Sequence, residues 1–238
     1  MRRRTQGIAA GTRPELIRAA AAVFAEQGFR AATIRGICRR ARANVSAVNY
    51  HFGGKKGLYE AVLHSGAGLK ADVAATLGEA SRSPEERLRD YVRSFLARVL
   101  ADGPLAAHGK IMAREMVDPT PALDRVVASF FRPEAELLGK LVRELVGNGF
   151  TDDELRLQCM SVVSQVVFYK HCRPVVERLF PDLRLDGSQL DSLADHISGF
   201  SLAAFARLRE GKASPRDRRA SGAATGRSGS PRIQKPHS

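Results

Sequence analysis

Between Thr33 and Lys56 the chain crowds groups that exchange hydrogen bonds: the hydroxyls of Thr33 and Ser46, the amides of Asn44 and Asn49, the phenol of Tyr50, the imidazole of His51, and the cations Arg35, Arg42, Lys55 and Lys56. Such a set suits contact with phosphate oxygens and base edges. It does not suit covalent chemistry, which needs a nucleophile beside a base, paired carboxylates or a phosphate-cradling loop. The chain has no glycine loop of nucleotide-binding type and no nucleophile-elbow pattern, so an enzyme is not expected. Cys38, Cys159 and Cys172 form no CxxC pair, and His171 beside Cys172 is not zinc-ligand spacing. No cofactor or metal is therefore expected, and a sparse, odd cysteine count fits a reducing cytoplasm.

The net charge of +13 is unevenly spread. Residues 1–57 carry twelve Lys/Arg against two Asp/Glu, residues 212–238 carry seven against one, and the stretch between them is net −3. A basic head on an acidic-leaning body places a polyanionic partner at the N-terminal end. No apolar run approaches the roughly 20 residues of a membrane span. Met1-Arg2-Arg3-Arg4 has no apolar segment behind it to make a signal peptide. The expectation is a cytoplasmic protein whose partner is double-stranded DNA, not a membrane.

The elements that must position these groups read as helices, because apolar residues recur at helical spacing and period-2 alternation never lasts. Leu16, Ile17, Ala20 and Phe24 line a first helix, about 13–28, ended by Gly28. Thr33 is the N-cap of a short helix to about Ala41, and Asn44 the N-cap of another, about 45–51. Two short helices joined by a three-residue turn make a helix-turn-helix, whose second helix enters the major groove. Ile34, Ile37, Ala41, Val45 and Val48 are expected to hold the pair together, with Ser46, Ala47, Asn49, Tyr50 and His51 facing outward. Beyond Gly53-Gly54 a long helix is expected over 55–80, with Leu58, Val62, Leu69, Val73 and Leu77 inward. Later helices start at Ser83-Pro84 and Pro104, run over about 121–147 with a break or kink at Pro133, start again at Thr151 with an interruption at Pro174, and cover 188–209. On that last helix Leu190, Leu193, Ile197, Phe200, Ala204 and Leu208 are expected on one side. The fold class is all-α: a three-helix reading domain followed by a larger helical domain, about nine to ten helices in all. The predicted divisions are a basic arm 1–12, the helix-turn-helix domain 13–57, a body 58–211, and a disordered basic tail 212–238.

The triplet Tyr50-His51-Phe52, two small residues, then Lys55 and Leu58-Tyr59 resemble the TetR family of regulators closely over 13–63. Arg114-Glu115, Pro119-Thr120-Pro121-Ala122-Leu123, Arg132-Pro133 and Ser164-Gln165 resemble the C-terminal domain of its CecR-type subgroup. The resemblance implies a homodimeric, ligand-released repressor of transporter, efflux or stress genes, dimerised through its last two helices. The alternative is a sequence-tolerant, architectural DNA-binding protein without an effector. The resemblance also implies phosphate contacts for Tyr50 and His51. Ser46, Ala47 and Asn49 are the candidates for base edges, since Asn reads adenine and Ala touches a thymine methyl. Thr33 and the helix start it caps are placed to meet a phosphate, and Arg35, one turn away, is a candidate for a phosphate or a base. Lys55 and Lys56 stand in a first helical turn, where the helix dipole disfavours cations. Either DNA phosphates supply the missing charge, or the two are a solvated pair. Arg42 stands where the family commonly has Gly and a positive φ is expected, and it is a further phosphate candidate.

In the body, His108, Met112, Glu115, Phe130, Gln165, Phe168, Tyr169 and His171 fall on helices expected to line a cavity for an unidentified small-molecule effector. Dimerisation rests on operator logic: two-fold DNA sites are read by two-fold proteins. The lever expected between cavity and DNA is the helix 55–80, pushed near Leu69 or Val73.

Overall fold

The computed structural model describes residues 6–65, 77, 81–100, 104–183, 185 and 187–212. Among the described residues every regular element is helical, as expected. The N-terminal part consists of α1 (Gln6–Ala31), α2 (Ile34–Ala41), α3 (Val45–Phe52) and α4 (Lys55–Ser65). Helix α1 starts at Gln6 rather than near Arg13, so part of the stretch read as an arm is helix, and it bends at Gly28 (φ 77°). Leu77 is helical and buried, while Leu69 and Val73 lie outside the described residues, as do residues 1–5 and 213–238.

The larger part consists of α5 (Pro84–Leu100), α6 (Pro104–Val117), α7 (Ala122–Val126), a π-turn (Val127–Phe131), α8 (Arg132–Val146), α9 (Asp152–His171), α10 (Arg173–Leu179), a 3-10 turn (Gly187–Gln189) and α11 (Leu190–Lys212). Local chemistry sets the starts. Thr151 Oγ1 accepts from Glu154 N while Glu154 Oε2 accepts from Thr151 N (3.2 and 2.8 Å), a reciprocal capping box, and Ser83 and Glu86 repeat it. At Pro133 the regular α-helix is interrupted, as expected, and α8 starts one residue ahead of the proline. The π-turn just before it widens the helix by one residue, and Arg132 N–H reaches back to Val127 O across that wider turn. Proline's missing N–H and its ring are thus taken up where the ladder is already rearranged.

Two apolar clusters form the interior. The first joins Leu16, Phe24, Ile37, Val48, Leu58 and Val62 and also takes in Ile111 of α6 with Ala122 and Val126 of α7. Helix α1 accordingly packs on α2, α4 and α6. The second joins α5, α8, α9 and α11 through residues such as Tyr91, Leu96, Leu141, Val162 and Ile197. On α11 the buried face is Leu193, Ala194, Ile197, Ser198, Ser201 and Phe205. Phe200 is 64% exposed and Ala204 is also exposed, so the expected stripe is turned by part of a turn. The small Ser198 and Ser201 occupy the packed side, their hydroxyls donating to Ala194 O and Ile197 O within the helix (2.6 and 2.8 Å).

Candidate nucleic-acid interface and ligand cavity

Caps position the two short helices. Thr33 Oγ1 accepts from Gly36 N (3.1 Å) at the start of α2, and Asn44 Oδ1 accepts from Ser46 N (3.0 Å) at the start of α3. Between the helices Arg42 has φ 52° and ψ 37°, the left-handed conformation expected for this turn, with Ala43 N donating to Cys38 O (2.9 Å). Gly53 (φ 67°) ends α3. Gly57 has a different role that the sequence reading missed: a Cβ there would lie 1.9 Å from the Phe52 carbonyl oxygen, so only glycine lets α4 start this close to the end of α3.

Of the outward-facing candidates on α3, Ser46, Asn49 and Tyr50 are exposed, Tyr50 by 82%, while Ala47 and His51 are half-buried. Ala47 packs on the N-terminal core. The rings of Tyr50 and His51 stack edge-on at 5.0 Å. Val45 is exposed, not a residue that clamps the pair, because it stands in the first turn of α3. Ile37 and Val48 do that work, with Ile34 and Ala41 half-buried beside them. Arg13 of α1 lies over the Phe52 ring (5.5 Å), a cation beside this face that periodicity alone did not pick out.

Electrostatics separate the cations into two groups. Arg40 binds Glu26 (2.9 Å) and Arg30 binds Asp118 (2.8 Å). Arg35, Arg42 and Lys56 are exposed and make no ion pair among the described residues. Lys55 differs from its neighbour. Its ammonium donates to Arg30 O (3.0 Å) and lies 4.8 Å from the Phe29 ring centroid. The charge that offsets it in the folded chain is the carbonyl end of α1, where a helix dipole favours a cation.

A buried clasp ties this part to the body. Tyr59 of α4 donates to Glu115 Oε1 (2.5 Å), and Glu115 also accepts from Thr120 N (2.9 Å) and Thr120 Oγ1 (3.0 Å). Glu115 is 1% exposed. It was expected to line the cavity but points the other way, held by these three donors. Burial, helped by the Glu115 carboxylate, pushes the Tyr59 phenol well above its ordinary range. Beside the clasp Arg114 donates to Glu26 O (3.1 Å), passing Gly28, where a Cβ would meet its guanidinium at 3.2 Å.

On the adjoining face of α6, His108, Met112 and Met116 line a cavity of about 990 Å³. Its other walls come from Leu63 of α4, α5, Val126 of α7, the π-turn with Phe130, α8 and α9, and His171 reaches it. The remaining predicted lining residues do not. Gln165 turns toward α11 and donates to Ser201 Oγ (3.2 Å), Phe168 is half exposed on the outer face of α9, and Tyr169 packs against the body core. At the cavity wall Arg98 Nη2 donates to Glu134 Oε1 (2.7 Å), and the guanidinium lies 5.0 and 5.9 Å from the Phe95 and Phe130 rings. Burial lowers the pKa of His108 below 6.5 and raises that of Cys159, also in the wall, to about 11. Burial, followed by the Glu134 carboxylate, holds the Tyr91 phenol high as well. Among the described residues there is no cluster of three or more His, Cys, Asp or Glu able to hold a metal. No described helix is long and apolar enough to cross a membrane.

Comparison with known proteins places this geometry. Residues 16–62 match the bacterial regulatory proteins of the tetR family, and residues 84–205 match the C-terminal domain of the HTH-type transcriptional dual regulator CecR. The CecR protein of Shigella flexneri is 27% identical over 173 residues, covering 66% of this chain and 74% of that protein. Among solved structures, a TetR-like transcriptional regulator from Rhodococcus sp. RHA1 superposes with a TM-score of 0.59 at 21% identity, over 86% of this chain and 99% of that one. AibR, in complex with isovaleryl coenzyme A and operator DNA, superposes with a TM-score of 0.60 at 17% identity, over 79% and 97%. The chain belongs to the TetR family of transcriptional regulators, with a C-terminal domain of the CecR type.

Proposed function

We propose that this regulator is an operator-binding repressor, acting as a homodimer and released by a small molecule held in the body cavity. The observation that carries this reading is the double use of α6. His108, Met112 and Met116 are cavity wall, and beside them Arg114 and Glu115 grip α1 and α4. A ligand that displaces α6 changes the seating of the reading helices, which a two-fold operator senses in both subunits. It takes the place of a push on Leu69 or Val73, which lie outside the described residues. The AibR complex, with isovaleryl coenzyme A and operator DNA, is a precedent for a small molecule and DNA both being bound on this fold. For the homodimer the support is the exposed large apolar side chains on both helices, Leu157 and Phe168 on α9 and Phe200 on α11. Tyr50, Lys56 and Arg42 are assigned to phosphates, and Asn49 and Ser46 to base edges. Transporter, efflux or stress genes are the proposed targets.

The test compares operator and random DNA at one salt concentration. A repressor of this kind binds its operator about 10³-fold or more tighter than random sequence. Effector lowers operator affinity by about 1–3 kcal/mol, and operator lowers effector affinity by the same factor. Equal affinity for both DNAs favours the architectural reading. Phe200→Glu should give a monomer in sedimentation; an unchanged dimer places the interface elsewhere.

A further inference from the structure

The body as a whole leans acidic, with residues 58–211 at net −3. The cavity does not share that sign. Its lining holds six Lys/Arg against three Asp/Glu. Arg143 is paired with Asp152 (2.7 Å), Arg156 with Asp153 (2.7 Å) and Arg98 with Glu134. Arg132 and Lys140 lie eight residues apart along the cavity side of α8, exposed and without a carboxylate partner among the described residues. Glu136 stands between them and bonds neither.

Inside, Arg98 is half-committed. Its Nη2 holds Glu134, but its Nη1 is buried and has no acceptor among the described residues. A buried guanidinium N–H without an acceptor is costly, and a charged donor makes the stronger kind of hydrogen bond once an oxygen reaches it. The surfaces beside it are apolar: Phe95, Phe130, Leu138 and Val163 all face the cavity.

We propose that the cavity is selective for an anionic amphiphile, an apolar chain carrying a carboxylate or phosphate oxygen that accepts from Arg98 Nη1. The surplus charge of Arg132 and Lys140 at the rim favours that head over a neutral or cationic one. The proposal rests on the cavity being the effector site, and it narrows the chemical class that fits.

The probes are dansyl-undecanoate, its methyl ester, and the matched dansyl-alkylammonium, titrated by fluorescence into the intact protein without DNA at about 0.1 M salt. The chain has no tryptophan, so the dansyl emission is read without a competing indole. The carboxylate should bind about tenfold or more tighter than the ester, with the ammonium weakest. Two variants locate the effect. In Arg98→Gln/Glu134→Gln the buried pair is replaced by neutral residues of similar size. In Arg132→Gln/Lys140→Gln only exposed side chains change, so folding is not at issue. Each should shrink the preference to about threefold or less. Equal affinity of acid and ester in the wild type overturns the proposal, and so does an undiminished preference in both variants. A carboxylate that binds selectively but leaves operator affinity unchanged sinks the release mechanism while the ligand class stands.

Discussion

Replacing Tyr59 with Phe deletes one oxygen from the clasp and leaves the ring where it packs, 4.8 Å from Phe24 and 4.7 Å from Phe29. The apolar burial is therefore kept, and the loss is the hydrogen bond to the Glu115 carboxylate at 2.5 Å. Hydrogen bonds to charged groups contribute about 1.5–3 kcal/mol, and with Glu115 only 1% exposed no bulk water replaces the donor. Thr120 still serves both carboxylate oxygens, which keeps the expected cost within that range rather than above it. Urea unfolding should show a loss of about 1.5–3 kcal/mol at neutral pH with an unchanged m value. The alkaline limb gives a second signature. The folded chain holds the Tyr59 proton at pH values where an unfolded phenol, near 10, has lost it. Stability is thus intact below about pH 10 and falls as pH rises beyond it. Tyr59→Phe should make that fall shallower, with Tyr91, also shifted upward, keeping the remainder. A cost under about 0.5 kcal/mol together with an unaltered alkaline limb would refute the clasp as a buried, energetically significant contact.

Four further outcomes are expected. Asn49→Ala should lower operator affinity by about 1–3 kcal/mol with little effect on random DNA, whereas Tyr50→Ala should weaken both alike; an unchanged specificity ratio for Asn49→Ala excludes it from base reading. Gly57→Ala, whose Cβ would meet Phe52 O at 1.9 Å, should cost about 1–3 kcal/mol by thermal unfolding and weaken DNA binding, and full tolerance would mean α4 can start elsewhere. Arg42→Gly should stabilise the fold by about 1 kcal/mol, since φ 52° strains any side chain, while weakening DNA if the guanidinium meets phosphate. His108, lowered by burial, stays neutral while its unfolded counterpart takes a proton below pH 6.5, so stability is full above that pH and falls beneath it; His108→Gln should flatten that acid limb in a pH series of melts.

What was legible in the sequence was local chemistry. Thr33, Asn44 and Thr151 each cap the helix they were assigned, because an oxygen at the N-cap meets a backbone N–H two or three residues ahead whatever the rest of the fold does. Arg42 followed the same logic, since the turn geometry alone demands a left-handed residue. What failed was the choice of face. Helix α9 is apolar on several sides: Leu155, Val162 and Val166 enter the core, Cys159, Val163 and Val167 face the cavity, and Leu157 and Phe168 lie outside. Periodicity shows that such a helix is surrounded but not by what, so Phe168 and Gln165 were assigned to the wrong neighbour. The carbonyl end of α1 beside the Lys55 ammonium was not legible, because it lies 25 residues away in sequence. That the interruption ahead of Pro133 is a π-turn was not legible, because a π-turn is set by packing rather than by residue type.

The way Ile111, Ala122 and Val126 complete the N-terminal core bears on how this protein comes apart and how it can be recombined. Cutting the chain after α4 would strip an apolar interior of one wall, so the reading helices are not a detachable module. Melting should proceed as one transition rather than a head followed by a body. A chimera that moves this head onto another regulator must carry residues 104–126 with it.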